Sequence, residues 1–145
     1  MTHPRAARRI LAILMASCLA LVAMAGCSPE QDRTSAVIFV NKERAAHGLR
    51  GLAWSDDLGN KAQRWAAVLA DRGTLAHSVL SDGVAPGWRA IGENVGFGSN
   101  VKVVHDGFMS SAVHREAILN RTYRSIGTGV VERGGRLYVV QVFKA

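Results

Sequence analysis

Both cysteines of this 145-residue chain, Cys18 and Cys27, fall within its first 27 residues. Everything after Cys27 is without a thiol, so no disulfide framework can hold it. Small exported domains usually rely on such crosslinks; this one must be stabilised by a hydrophobic core alone. Export itself is written around those cysteines. Arg5, Arg8 and Arg9 stand without an acid before an apolar run from Ile10 to Ala25, which Gly26, Pro29 and Glu30 close. A basic start, about 16 apolar or small residues and a small-residue end have the layout of a secretory signal peptide. A spanning helix needs about 20 apolar residues, so residues 1–26 read as a signal peptide that is removed.

The end of the run, Met24-Ala25-Gly26-Cys27, resembles a bacterial lipobox. That resemblance implies acylation of Cys27 as the first mature residue. The expected location is the cell envelope, at the outer face of the cytoplasmic membrane, with plain secretion as the alternative. Residues 27–34, polar with one proline, then read as a short lipidated tether, and residues 35–145 as one folded domain. Loss of the three arginines lowers the formal net charge from +7 to +4. The remaining Lys and Arg are scattered and lack interleaved aromatics, so nucleic acid is not an expected partner; a membrane, through the anchor, is.

Hydrophobic period places the elements. Val37, Ile38, Phe39, Val40, Ala45 and Ala46 alternate with Asn41, Lys42, Glu43 and Arg44 over residues 35–47, and Gly48 follows as a helix-terminating residue. A second helix opens at Ser55 with Asp56 and Asp57 at its positive end, carries Leu58, Ala62, Trp65, Ala66 and Leu69, and stops at Gly73. Trp65 reads as core. From Gly73 to Asn100 the helical period is lost; Gly83, Pro86, Gly87 and Trp88 suggest a long loop, with a strand near Ile91–Phe97. Asn100 caps a third helix through Val101, Val104 and Phe108, and a fourth runs from about Ala112 to Leu119. Ile126–Glu132 and Arg136–Phe143 are β-branched and aromatic around Arg133-Gly134-Gly135, the signature of a hairpin. The fold class expected is α+β, a three-layer α-β-α sandwich with a small antiparallel sheet.

Taken in order, VNKERAAHGL at 40–49, LAWSDDL at 52–58, HS at 77–78, GENV at 92–95, SSAVHREAIL at 110–119, IGTGVV and YVVQVF are similar to the CAP superfamily, the cysteine-rich secretory, venom allergen and plant pathogenesis-related proteins, in its short bacterial branch. The resemblance spans essentially all of residues 35–145. It implies a cleft in which His77 and His114 face each other and Glu93 lines the wall. Larger members place a second Glu three residues after a Trp; here those positions hold Ser111 and Phe108, so the acidic set is incomplete.

The chemistry of these residues leaves roles open. Two neutral imidazoles and a carboxylate can hold Zn²⁺ with an open position, which makes His77 and His114 candidate metal ligands; they can equally form a hydrogen-bonded cluster. Glu93, beside Gly92, either lines the cleft or pins a loop by accepting amide hydrogens. Asn94 reads as structural. Arg115 points about 100° from His114 on a helix and is expected to pair with a carboxylate. His105 reads as part of an exposed helix face, His47 as a helix C-terminal residue, and Ser110 and Ser111 as caps. No G-x-S-x-G or G-x-G-x-x-G occurs, and Asn120-Arg121-Thr122 is read as a chance sequon.

Three functions follow as expectations. The first is a lipid-anchored binding module taking a small ligand, lipid or envelope partner in the His77, Glu93 and His114 cleft. The second is a metal-assisted hydrolase, peptidase-like, with Glu93 as general base. The third is a structural protein whose cleft residues only hold the fold. No catalytic residue is assigned, and the balance leans away from an enzyme.

Overall fold

The computed structural model describes residues 28–145; the signal-peptide reading and the acylation of Cys27 lie outside the described residues. Eight elements follow in order: α1 (Pro29–Ala46), β1 (Ala53–Trp54), α2 (Asp56–Arg72), β2 (Ile91–Gly98), α3 (Val101–Ser110), α4 (Ala112–Leu119), β3 (Ser125–Arg133) and β4 (Arg136–Lys144).

The tether expected at residues 27–34 is not one from Pro29 onward. Those residues are the first turns of α1, closed by a capping box in which Ser28 Oγ accepts from Gln31 N at 3.3 Å and Gln31 Oε1 accepts from Ser28 N at 2.9 Å. Pro29 sits where a missing N–H costs nothing, and Glu30 and Asp32 complement the helix dipole. Ser-Pro-Glu-Gln is thus a helix start that polarity alone disguises as a linker. At the other end Gly48 takes φ +65°, and Leu49 N returns to Arg44 O at 2.8 Å.

The sheet order is β1-β3-β4-β2. β2, β4 and β3 are antiparallel as expected, with Gly134 and Gly135 at φ +60° and +74° between the paired Arg133 and Arg136. The sheet is nevertheless mixed, because the two-residue β1 pairs parallel with Ser125 and Ile126 of β3. So short a strand has no period to read. The period-2 alternation of β4 divides the core. Val139 and Phe143 pack with Ala36, Val40, Phe108 and Ile118 from α1, α3 and α4, whereas Tyr138, Val140 and Val142 pack with Leu58, Ala62, Ala66 and Leu69 of α2. The three-layer α-β-α sandwich is therefore as expected.

Close approach of α2 to the sheet rests on two glycines. A Cβ on Gly127 would lie 2.1 Å from Gly59 N, and one on Gly129 would lie 2.3 Å from the Ala62 carbonyl. Beyond β1, side chains take over the hydrogen bonds of the β3 edge. Gln63 Nε2 donates to Val130 O at 3.1 Å and its Oε1 accepts from Val130 N at 3.0 Å, while Arg33 Nε donates to Thr128 O at 3.0 Å. These contacts satisfy the edge groups that invite pairing with another strand.

Two polar residues are core, one of them read as surface. Arg44 is buried and donates from Nε to Arg50 O (2.8 Å) and from Nη1 to Ile118 O (2.8 Å) and Asn120 O (2.9 Å). His105, expected on an exposed face, is buried between α3 and α1, its ring 5.4 Å from that of Phe39. Among the described residues neither ring nitrogen has a hydrogen-bond partner, and the Glu43 carboxylate stops at 3.8 Å. Burial, outweighing the Glu43 and Asp106 charges, holds the His105 pKa below its ordinary value. The unfolded chain therefore binds the proton more readily, and stability falls as pH drops below about 6.5. We expect His105→Leu to leave the melting temperature at pH 7.5 unchanged or higher and to reduce its decline between pH 7 and 5. Thermal melts of both proteins across that range check it; an unchanged decline would remove His105 as a cause.

Candidate functional site

β2 forms one edge of the sheet, and α4 and the loop that follows α2 both reach it. Long as it is, the loop is held by side chains: Trp65 Nε1 donates to Ala76 O at 2.8 Å, Lys61 Nζ to Val79 O at 2.7 Å, and Asp57 Oδ2 accepts from Ala85 N at 2.9 Å. Asp57 also receives Lys144 Nζ at 3.0 Å and the Ser55 hydroxyl. Burial would raise the Asp57 pKa, but these hydrogen bonds outweigh it and hold the carboxyl well below the usual carboxylate range.

Glu93 lies on β2 with its side chain fully buried. Its Oε1 accepts from His77 Nδ1 (2.9 Å) and Ser78 N (2.9 Å), and its Oε2 accepts from Ser78 Oγ (2.6 Å). Of the two roles open for Glu93, loop pinning is the one that these contacts describe, and the cleft histidine is what it pins. Because a carboxylate only accepts, Nδ1 of His77 must carry its proton; in the neutral ring Nε2 then holds the lone pair. The His77 side chain is 60% exposed, so the ring is held at Nδ1 while much of it meets solvent.

His114 sits on α4, half-buried, its ring 5.1 Å from that of Phe108. Asn94, on the opposite face of β2 from Glu93, donates to the His114 carbonyl at 3.1 Å and to Gln141 Oε1 at 3.2 Å, the structural role expected of it. Burial, with a contribution from the nearby His77, lowers the His114 pKa, so this ring is neutral at neutral pH. The two histidines are brought close, but they line different hollows. His77 and Ser78 border a cavity of about 370 Å³ against Lys61, Arg64 and Trp65. His114 and Ser111 border a groove of about 270 Å³ with Leu75, Phe97, Val104 and Phe108. Gly96 keeps that groove close to α3, since a Cβ there would meet Phe108 at 2.8 Å.

Several neighbours were legible only in part. Lys61, Arg64, Trp65 and Val68 recur at helical spacing along α2 and form one wall of the His77 cavity; Trp65, expected in the core, is a half-buried part of that wall. Arg115 donates to Met109 O at 2.9 Å rather than to a carboxylate. Ser111 occupies the cap position of α4 without a side-chain capping bond, and Ser110 Oγ donates to Asp106 O. Asn120 Oδ1 accepts from Thr122 N and Oγ1, so the formal sequon is a turn held by its own side chains.

The donor set bears on a metal. Both Glu93 oxygens are engaged and shielded, which leaves the imidazoles of His77 and His114, and among the described residues no group of three or more His, Cys, Asp or Glu is placed to hold an ion. Two nitrogens fall short of the three protein ligands of a catalytic zinc site. The same burial leaves Glu93 without access to a water it would have to deprotonate.

No curated protein matches the sequence at a significant level. Among solved structures, the chain is similar to an outer surface protein of Borrelia burgdorferi, with 20% identity, a TM-score of 0.70, and 81% of this chain and 94% of that one covered. It is also similar to an SCP-domain extracellular protein of Bacillus anthracis, at 21% identity and TM-score 0.70 over 83% of this chain and 44% of that one. NaASP2, solved with Zn²⁺, aligns at 13% identity and TM-score 0.60 over 83% of this chain and 82% of that one. These likenesses establish the fold. Residues 37–143 match the sequence profile of the cysteine-rich secretory protein family, and the chain belongs to that family, CAP.

Proposed function

We propose that this protein is an exported, lipid-anchored CAP domain of a bacterial envelope that binds a small ligand, a lipid or an envelope partner at the His77, Glu93 and His114 edge of its sheet. The observation that carries the reading is Glu93: a buried carboxylate spends its hydrogen bonds on His77 and Ser78, so that the His77 ring is held in place on the border of one open hollow, with His114 on the border of a second. Fixed polar points within partly apolar hollows suit recognition. The shielding of Glu93 and the two-nitrogen donor set tell against a metal-assisted hydrolase. Bacterial proteins with this fold named as outer-surface and extracellular agree with export.

Imidazole NMR signals of His77 and His114, followed while a dispersed phospholipid, a fatty acid, a soluble muropeptide and a peptide mixture are titrated in turn, test the reading. The expected result is saturable shifting of both rings by one of these classes. Glu93→Gln should weaken that binding about tenfold or more, as loss of hydrogen bonds to a charged group costs about 1.5–3 kcal/mol. Product formed from the peptides that His77→Ala abolishes would replace binding by catalysis. Unmoved rings throughout, with lowered stability in both variants, would leave the cluster a structural one.

A further inference from the structure

The opposite edge of the sheet carries an exposed apolar face that the cleft does not use. Ile38 is 56% and Trp54 43% exposed, and with Val37, Thr34, Arg33 and Glu30, whose carboxylate accepts from Arg33 Nη1 at 3.2 Å, they border a hollow of about 290 Å³. Trp54 is not loose. Its ring lies across Gly59 of α2, where a Cβ would meet it at 2.3 Å, its Nε1 donates to Asp56 at 2.7 Å, and the Arg33 guanidinium stands 5.2 Å over it. An indole locked half in water costs hydrophobic free energy and contributes nothing to the core clusters on either side of the sheet.

The position of this face relative to the start of the domain identifies what covers it. Cys27 is joined directly to Ser28, the N-cap of α1, and α1 runs without a break from Pro29 through Ile38. There is no slack of the sort a tether would supply. At about 1.5 Å per residue, Arg33 and Ile38 lie within about 15 Å of the helix start. We infer that the face formed by Arg33, Ile38 and Trp54 is the side on which the domain rests against the phospholipid bilayer, at the boundary of headgroups and acyl chains. This placement rests on the proposed attachment of the chain to a membrane at Cys27. Trp and Arg suit that boundary, each having an apolar body and a polar end. The consequence is an orientation: β1 is the edge strand toward the membrane and β2 the edge strand away from it, so the His77 and His114 hollows open outward from the lipid.

The test uses the full chain with Cys18→Ser, carrying a nitroxide at Ile38→Cys or, in a second protein, at Val113→Cys, and reconstituted in vesicles of phosphatidylethanolamine and phosphatidylglycerol. Val113 is 77% exposed on α4 beside β2, so both labels replace surface side chains. The expected result is a label at 38 that collides severalfold more with oxygen than with a water-soluble nickel chelate, and a label at 113 with the opposite preference. Equal behaviour at the two positions in a chain retained on the vesicles overturns the placement alone. A chain released by alkaline carbonate, with Cys27 open to a thiol reagent, overturns the attachment and the placement with it. Spin–spin broadening at 38 without oxygen contact also overturns it, and would make this face a contact between two copies of the chain.

Discussion

Gly129→Ala is expected to cost about 3 kcal/mol or more, at the upper end of what overpacking does, and to lower the melting temperature by about 10 °C or more at about 4 °C per kcal/mol. The reason is that the new methyl meets backbone. It would stand 2.3 Å from the carbonyl carbon and oxygen of Ala62 and 2.4 Å from Gln63 N, and a helix backbone cannot rotate away as a side chain does. α2 would have to lift off β3, disturbing the Gln63 bonds to Val130 and, along the same helix, the Lys61 and Trp65 bonds that hold the His77 loop. Gly107→Ala is the matched comparison. Gly107 lies inside α3 with nothing within 4 Å of the added Cβ, so the same change should stabilise by about 0.5–1 kcal/mol. Thermal melts of the two variants decide the matter; a Gly129→Ala protein melting like the parent would mean that α2 does not sit on β3 through this glycine.

Arg44→Met should destabilise by about 3 kcal/mol or more, because three carbonyls lose a charged donor and a hydrogen bond of that kind is worth about 1.5–3 kcal/mol. Arg44 is one of the largest fully buried side chains, and it reaches three carbonyls: Arg50 in the turn after α1, Ile118 in the last turn of α4 and Asn120 beyond it. Among the described residues no carboxylate is one of its hydrogen-bond partners. The guanidinium supplies donors that the C-terminal end of α4 lacks within its own helix, and it ties that end to α1. Removing it leaves the buried Ile118 carbonyl and the part-buried Arg50 and Asn120 carbonyls without this donor, and a buried acceptor left unpaired costs about 1–3 kcal/mol. Arg44→Lys should recover only part of the loss, since a compact ammonium cannot reproduce the planar fork that spans these acceptors. Denaturant unfolding of the three proteins gives the comparison, and a Met variant within about 1 kcal/mol of the parent would contradict it.

These two residues show where reading from sequence succeeds and where it fails. Arg44 follows Ala36 and Val40 at steps of four, on the buried side of α1, so its position was legible while its residue type pointed to solvent. His105 misleads in the same way: Val101, Val104 and Phe108 define the apolar side of α3, and the histidine next to Val104 is turned far enough inward to be buried. Ser28-Pro29-Glu30-Gln31 misleads for the opposite reason, its polarity suggesting a linker although each residue suits the first turn of a helix. In the site, the resemblance carried by the HS, GENV and SSAVHREAIL motifs named His77, Glu93 and His114, whereas the part of Ser78 as a donor to Glu93 was missed, although it stands next to His77. Their division between two hollows, and the Lys61, Arg64 and Trp65 wall, follow from the path of the loop over α2.

By itself the sequence determined the helices, the hairpin and the absence of any disulfide in the domain, because period, caps, turn glycines and cysteine positions are local and each carries its own physical signal; the family was legible through the order of its motifs. Tertiary structure alone decided which polar residues are buried, how Glu93 spends its hydrogen bonds, and that β1 and β2 form opposite edges of the sheet. Those outcomes depend on contacts between residues distant in the chain, Arg44 with Ile118 and Glu93 with His77 among them, and partners of that kind leave no mark in the spacing of either segment.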